Sequence, residues 1–163
     1  MRQLLLEASG PLDPRTEALL MLAARAEHVA QVMAPALAAG KSVVCDRFDG
    51  STLAYQAWGR GLDPDELRSL SSWAAAGTAP DLVVLLQVPA QEVVRRLVAR
   101  GGTDRFEAAG AAFHARVAEG FGALAAAQPG LWAVVDGCGS EAEVAERVWS
   151  AVEERLELPK GPD

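Results

Sequence analysis

The 163 residues carry 15 Lys and Arg against 22 Asp and Glu, a formal charge of −7. That is the wrong sign for sequence-independent binding to nucleic acid, which needs basic patches to displace counterions. Half of the residues are hydrophobic, yet no apolar run approaches the roughly 18 needed to span a bilayer, and the leucine run in "MRQLLLEASG" is too short for a secretory leader.

The length suits one domain with a single sizeable core, and the composition reads as cytoplasmic. Cys45 and Cys138 each end an apolar segment and read as free thiols. The net charge does not exclude a small anionic ligand, because local arginines bind phosphate whatever the total.

In chain order, Pro14 and "RTEALLMLAARAEHVAQVMAPALAAG" predict a long helix that starts at the proline and stops at Gly40. Leu19, Leu22, Ala26, Val29 and Met33 recur along it at helical spacing. "SVVCD" (42–46) follows as a short apolar strand. Asp63 is the expected N-cap of a helix opened by Pro64 and ended before Gly77 and Pro80. "DLVVLLQV" (81–88) is the strongest strand in the sequence. Pro89 then starts a helix that stops at Gly101-Gly102. A further long helix is expected from about Phe106 to Ala127, a third strand at "LWAVVDG" (131–137), and a closing amphipathic helix at "SEAEVAERVWSAVEERL".

These strands are continuous apolar runs separated by helices. That pattern predicts an α/β fold with a parallel sheet covered on both faces. Ligands of such folds gather at the carboxyl ends of the strands. Asp46-Arg47 lies at one predicted strand end and Asp136 at another.

Two arginine groups stand out. Arg47 either pairs with Asp46 or presents its guanidinium to a phosphate through two parallel hydrogen bonds. Arg25 lies mid-helix among Ala and Met, where a charge must reach solvent or meet an anion. In "VVRRLVARGGTDRFE" (93–107), Arg96 and Arg100 are four apart and share a helical face, while Arg95 projects elsewhere. Gly101 and Gly102 permit a mobile loop that returns Asp104, Arg105 and Glu107. The plain reading is a solvated helix end. The functional one is an arginine-bearing lid over a transferring phosphoryl group, with Asp104 and Glu107 facing Mg²⁺ or a substrate hydroxyl. His28 and His114 lack metal-ligand spacing, and no paired-cysteine zinc motif exists. The four tryptophans read as packing residues, with Trp58 set apart by its place in the candidate site loop.

"CDRFDGSTLAYQAWGRGLD" resembles the Asp-Arg-Tyr/His region of thymidylate kinases, with its downstream Ser, Ala-Tyr-Gln and Gly-Arg-Gly. "AARAEHVAQVMAPALAAG" is similar to the family's preceding helix, "PDLVVLLQVPAQEVVRRLVARGGTDRFE" to its fourth strand, next helix and lid, and "LWAVVDGCGSEAEV" to its last strand and adenine loop. The resemblance implies a P-loop nucleoside-monophosphate-kinase-like domain over 1–158, with 159–163 as a tail. It also implies transfer of the γ-phosphoryl of ATP to thymidine monophosphate, assisted by Mg²⁺, in a homodimer. On the same basis Arg25 and Arg47 would hold the acceptor phosphate. Ser51, Tyr55 and Gln56 would line the thymidine pocket, and Asp46 would organise magnesium and phosphate. Arg96, Arg100 and Arg105 would serve in the lid, with Asp104, Phe106 and Glu107 at its return and Glu107 as a metal ligand. Gly137 would lie at the adenine.

Three departures accompany the resemblance. Met21 stands where the family often places a thymine-stacking phenylalanine, and Phe106 where it often has tyrosine. No Gly-x-x-x-x-Gly-Lys-Ser/Thr occurs; Gly40-Lys41 has no glycine-rich loop before it. The resemblance therefore implies an N-terminally incomplete member, its central first strand absent and its activity lost without the phosphate-binding loop. The alternative is a short non-catalytic nucleotide-binding or assembly module.

Overall fold

The computed structural model of the protein describes residues 12–101 and 106–156. They fall into two compact units, one within 1–79 and 104–122, the other within 80–103 and 123–163.

The first unit is helical. Helix α1 (Pro14–His28) starts where the Asp13 carboxylate accepts from the Arg15 N–H at 2.9 Å, with Pro14 in the first turn, where a missing N–H costs nothing. The chain then widens into a π turn (Val29–Met33) and resumes as α2 (Ala34–Ala38). The Ala34 N–H reaches back to the Val29 carbonyl. Pro35 explains the position of this turn, because its ring crowds the carbonyl four residues back. The run ends near Gly40, whose φ of +70° suits glycine. The predicted helix is thus present, in three pieces.

Its buried stripe includes Ala18, Leu22, Val29 and Met33, whereas Leu19 is exposed. Beyond residue 45 come α3 (Asp49–Thr52) and a second π turn (Leu53–Gly59). Helix α4 (Pro64–Ala74) is capped by Asp63, which accepts from the Asp65 and Glu66 N–H groups as expected. Leu53, Ala54, Leu67, Phe113 and Val117 join the buried residues of this unit.

The expected strand at 42–46 does not form. A strand is defined by its ladder, and the described residues hold no backbone partner for this stretch. Val44 is wholly exposed at 100%. Apolar periodicity reports a tendency to extend; it cannot report whether a neighbour is present.

In the second unit, β1 (Val83–Gln87) and β2 (Trp132–Asp136) pair in parallel, with Val83 opposite Trp132 and Gln87 opposite Asp136. The parallel sheet of an α/β protein is therefore present, with two strands among the described residues. Helix α5 (Ala90–Arg100) stops at Gly101, whose φ is +70°. The helix expected from Phe106 is interrupted: a 3₁₀ turn (Glu107–Ala109) precedes Gly110 at φ +89°, and α6 spans Ala111–Ala127. Helix α7 (Glu141–Arg155) opens with a capping box in which Ser140 Oγ accepts from the Glu143 N–H while the Glu143 carboxylate accepts from the Ser140 N–H.

Two tryptophans depart from their expected packing role. Trp132 is buried, but Trp73 is 81% exposed and Trp149 is also exposed. No described helix is long and apolar enough to cross a membrane.

Ser140→Ala removes one half of the capping box and leaves a helix-end N–H unpaired. The variant is expected to lose about 1 kcal/mol of stability in a denaturant melt.

Candidate acceptor site and arginine cluster

Arg25 is half-buried beneath the segment that follows Arg47. One nitrogen, Nη2, donates to the Phe48 carbonyl at 2.9 Å and to Thr52 Oγ1 at 2.6 Å. The guanidinium lies 5.2 Å from the Phe48 ring centroid. Its other terminal nitrogen, Nη1, is buried and has no hydrogen-bond partner among the described residues. Burial holds this guanidinium below its ordinary value, with Asp49 and Cys45 pulling the other way. Burial also pushes the Cys45 thiol up, opposed by Arg25. A buried N–H without an acceptor costs about 1–3 kcal/mol, so Nη1 is a donor placed where an anion would satisfy it.

Arg47 has φ +69°, a left-handed conformation that costs a non-glycine residue about 1–2 kcal/mol. Strain of this kind clusters at ligand sites, where it aims a side chain. The Arg47 guanidinium stands 5.4 Å from the Tyr55 ring centroid. Tyr55 in turn meets Phe106, Phe113 and Phe121 edge-on, at centroid separations of 5.8, 6.0 and 6.2 Å. Ser51 is half-buried in α3, and Asp46 is exposed next to Arg47.

The first unit thus joins Arg25 to the 48–52 segment, and Arg47 to Tyr55 and Phe106. Gln56 takes a different direction. It is 1% exposed, and its Nε2 donates to Glu17 Oε1 at 3.0 Å.

Glu17 and Arg116 were not singled out from the sequence, and Arg60 entered only through its Gly-Arg-Gly run. Glu17 is 1% exposed and accepts from Arg60 at both carboxylate oxygens, Nε at 3.1 Å and Nη2 at 3.0 Å. Arg60 also lies 4.5 Å from the Phe113 ring centroid. Arg116 caps the π turn by donating to the carbonyls of Trp58 and Gly59. Glu17 reads in sequence as an ordinary first-turn acid. The available hint was its place beside Ala18, on the edge of the buried stripe.

In the second unit Arg96 donates through Nε to Glu92 and through Nη2 to the Gly137 carbonyl, at 2.8 and 3.0 Å. Arg95 shares Glu92 with it, despite being expected to project elsewhere. These hydrogen bonds hold the Glu92 carboxyl down at about 2. Gly137 is required by packing: an added Cβ would stand 2.7 Å from Val88 Cγ2. Beside it Val88, Val93, Arg96 and Leu97 line an open cleft of about 170 Å³.

The Cys138 N–H donates to Asp136 Oδ1 at 2.9 Å, which holds the Asp136 carboxyl below its usual range. The Arg100 and Glu107 side chains, and Asp104 and Arg105 entirely, lie outside the described residues. Among the described residues no three His, Cys, Asp or Glu side chains cluster as a metal site.

Parallel strands with intervening helices define an α/β protein, and the first unit sets arginines against aromatic rings. The thymidylate kinase family model matches residues 1–148. A thymidylate kinase of Synechococcus sp. (strain JA-2-3B'a(2-13)) is 51% identical over 158 residues, covering 97% of this chain and 75% of that protein. One from Solidesulfovibrio magneticus is 51% identical over 156 residues, covering 91% and 75%. One from Cutibacterium acnes is 46% identical over 149 residues, covering 91% and 72%. The chain belongs to the thymidylate kinase family, a family of phosphoryl-transferring enzymes.

Glu92 has a carboxyl pKa lowered from 4.5 to about 2. Its contribution to stability is present above pH 4.5 and is lost as pH falls through about 2. The melting temperature of Glu92→Gln is expected to lie slightly below wild type at neutral pH. The gap should close between pH 4.5 and about 2, followed by thermal unfolding across that range.

Proposed function

We propose that the first unit binds thymidine monophosphate as a phosphoryl acceptor, and that the chain serves transfer of the γ-phosphoryl of ATP to it. The observation that carries this reading is the buried, unpartnered Nη1 of Arg25. An acceptor phosphate would supply the oxygen that this nitrogen lacks, and a charge-assisted bond between them is stronger than a neutral one. Arg47, aimed by its strained backbone, would add a second cation, and Tyr55 an aromatic wall for the nucleoside. Ser51 and Phe106 would border that wall. The buried amide of Gln56, bonded to Glu17, would support that wall from behind. The relatives' name, thymidylate kinase, supports the choice of nucleotide.

On the donor side Arg96, Arg100 and Arg105 would place positive charge near the transferring phosphoryl group, and Gly137 would border the adenine. Phosphoryl transfer requires mostly positioning and charge neutralisation, which arginines can supply. Mg²⁺ would neutralise phosphate charge, and Asp46 and Glu107 are the proposed protein ligands. Asp46 is exposed, as a ligand shared with phosphate oxygens needs to be.

The residues present do not fit a triphosphate by themselves. The 163 residues include no glycine-rich phosphate loop with its lysine. The cleft of about 170 Å³ beside Arg96 is smaller than the ~300 Å³ at the low end of ligand pockets. We therefore propose acceptor binding without turnover for these 163 residues, and homodimerisation as in the family.

Arg25→Ala is expected to weaken thymidine monophosphate binding at least tenfold by titration calorimetry, with thymidine binding little changed. An equal loss for both ligands would remove Arg25 from the phosphate. Mixed with ATP, Mg²⁺ and thymidine monophosphate, the 163-residue chain is expected to form no ADP above the rate without acceptor. Clear turnover would overturn the claim that a glycine-rich loop is required.

A further inference from the structure

Among the described residues Glu17 is the one acid of the buried polar set, and the acceptor-site reading gives it no contact with a nucleotide. Its carboxylate accepts three hydrogen bonds, one from Gln56 and two from Arg60. Gln56 lies within the wide turn Leu53–Gly59, and Arg60 immediately follows it. Within it the Arg60 N–H bonds the Tyr55 carbonyl at 3.0 Å, five residues back, and the Leu62 N–H bonds the Gln56 carbonyl at 3.1 Å, six back.

Such wide turns are less regular than an α-helix and are seldom stable without outside support. Here the support comes from two sides. Glu17 grips the side chains of Gln56 and Arg60, and Arg116 grips the carbonyls of Trp58 and Gly59. Contact at Gly59 is close enough that an added Cβ would lie 2.6 Å from Phe113 Cε2. Tyr55, the residue whose ring meets Arg47, immediately precedes Gln56 in this turn. Rotating the turn to release Gln56 would therefore move the Tyr55 ring.

We propose that Glu17 is a positioning residue for the acceptor site: its buried carboxylate locks Gln56 and Arg60, and thereby sets where the Tyr55 ring stands against Arg47. Its effect on nucleotide binding rests on the acceptor reading above; its effect on Tyr55 does not. Glu17→Gln keeps the shape of the side chain but replaces one acceptor oxygen of the Arg60 pair with a donor, so the two-point grip fails.

The test uses the fact that Tyr55 is the single tyrosine of the chain. With ¹³C-tyrosine labelling, every ring resonance reports on Tyr55. Glu17→Gln is expected to shift those resonances and weaken their contacts to Phe113 and Phe121, whereas the exposed control Asp65→Asn leaves them in place. Unchanged ring resonances in Glu17→Gln would overturn the proposal, whether or not any nucleotide binds. If Glu17→Gln does not fold, Arg60→Lys gives the same reading from the other partner.

Calorimetry with thymidine monophosphate supplies the second arm. Glu17→Gln is expected to weaken binding about tenfold in the wild-type background and to add no further loss in Tyr55→Ala. Additive losses would overturn action through Tyr55. A wild-type chain that does not bind thymidine monophosphate would refute the acceptor reading, and the resonance arm would still decide the role of Glu17 in placing the ring.

Discussion

A carboxylate withdrawn from water has to be paired, and the pairing of Glu17 organises the first unit. Removing such a charge from solvent costs several kcal/mol after relaxation, so its partners must be numerous and well aimed. Arg60 meets it with two nitrogens from 43 positions away and Gln56 with one from 39. The ion pair joins the first turn of α1 to the turn that carries Tyr55. Because α1 also carries Arg25, one helix holds both Glu17 and the guanidinium that meets Phe48 and Thr52.

Local irregularity accompanies this arrangement. The π turns at Val29–Met33 and Leu53–Gly59 are poor helix by backbone standards, and Arg47 adopts a left-handed conformation with no glycine to ease it. Two of these features, the second turn and Arg47, border the aromatic wall directly. Strain and widened turns persist only where surrounding contacts over-determine them. The close approach of Gly59 to Phe113, and of Gly120 to Trp58, is the packing that does so.

Much of this was legible in the sequence, for reasons that are local. Asp63 caps α4 because its carboxylate reaches N–H groups two and three residues ahead, a relation within one turn. Gly101 stops α5 because its φ is open only to glycine at low cost. The runs at 81–88 and 131–137 are apolar and β-branched enough to announce parallel strands, and they pair in register. The concentration of arginines and hydroxyls after residue 45 marked the region proposed to bind the acceptor. Its motif order resembled the family to which the chain belongs.

What failed to show in the sequence depends on distant partners. Residues 42–46 have strand composition, yet a ladder needs a neighbour, and composition cannot supply one. Gln56 reads as a pocket amide, but its amide is turned to Glu17 by an ion pair formed 39 residues upstream. Glu17 itself is indistinguishable by residue type from the exposed acids that open other helices. The sequence by itself determined the helix caps and stops and the two paired strands, because propensity and motif spacing are properties of neighbouring residues. Only the tertiary structure decided which arginine nitrogen was left without an acceptor and which acid was buried. Desolvation is a property of what the rest of the chain packs around a group, and no local stretch contains that information.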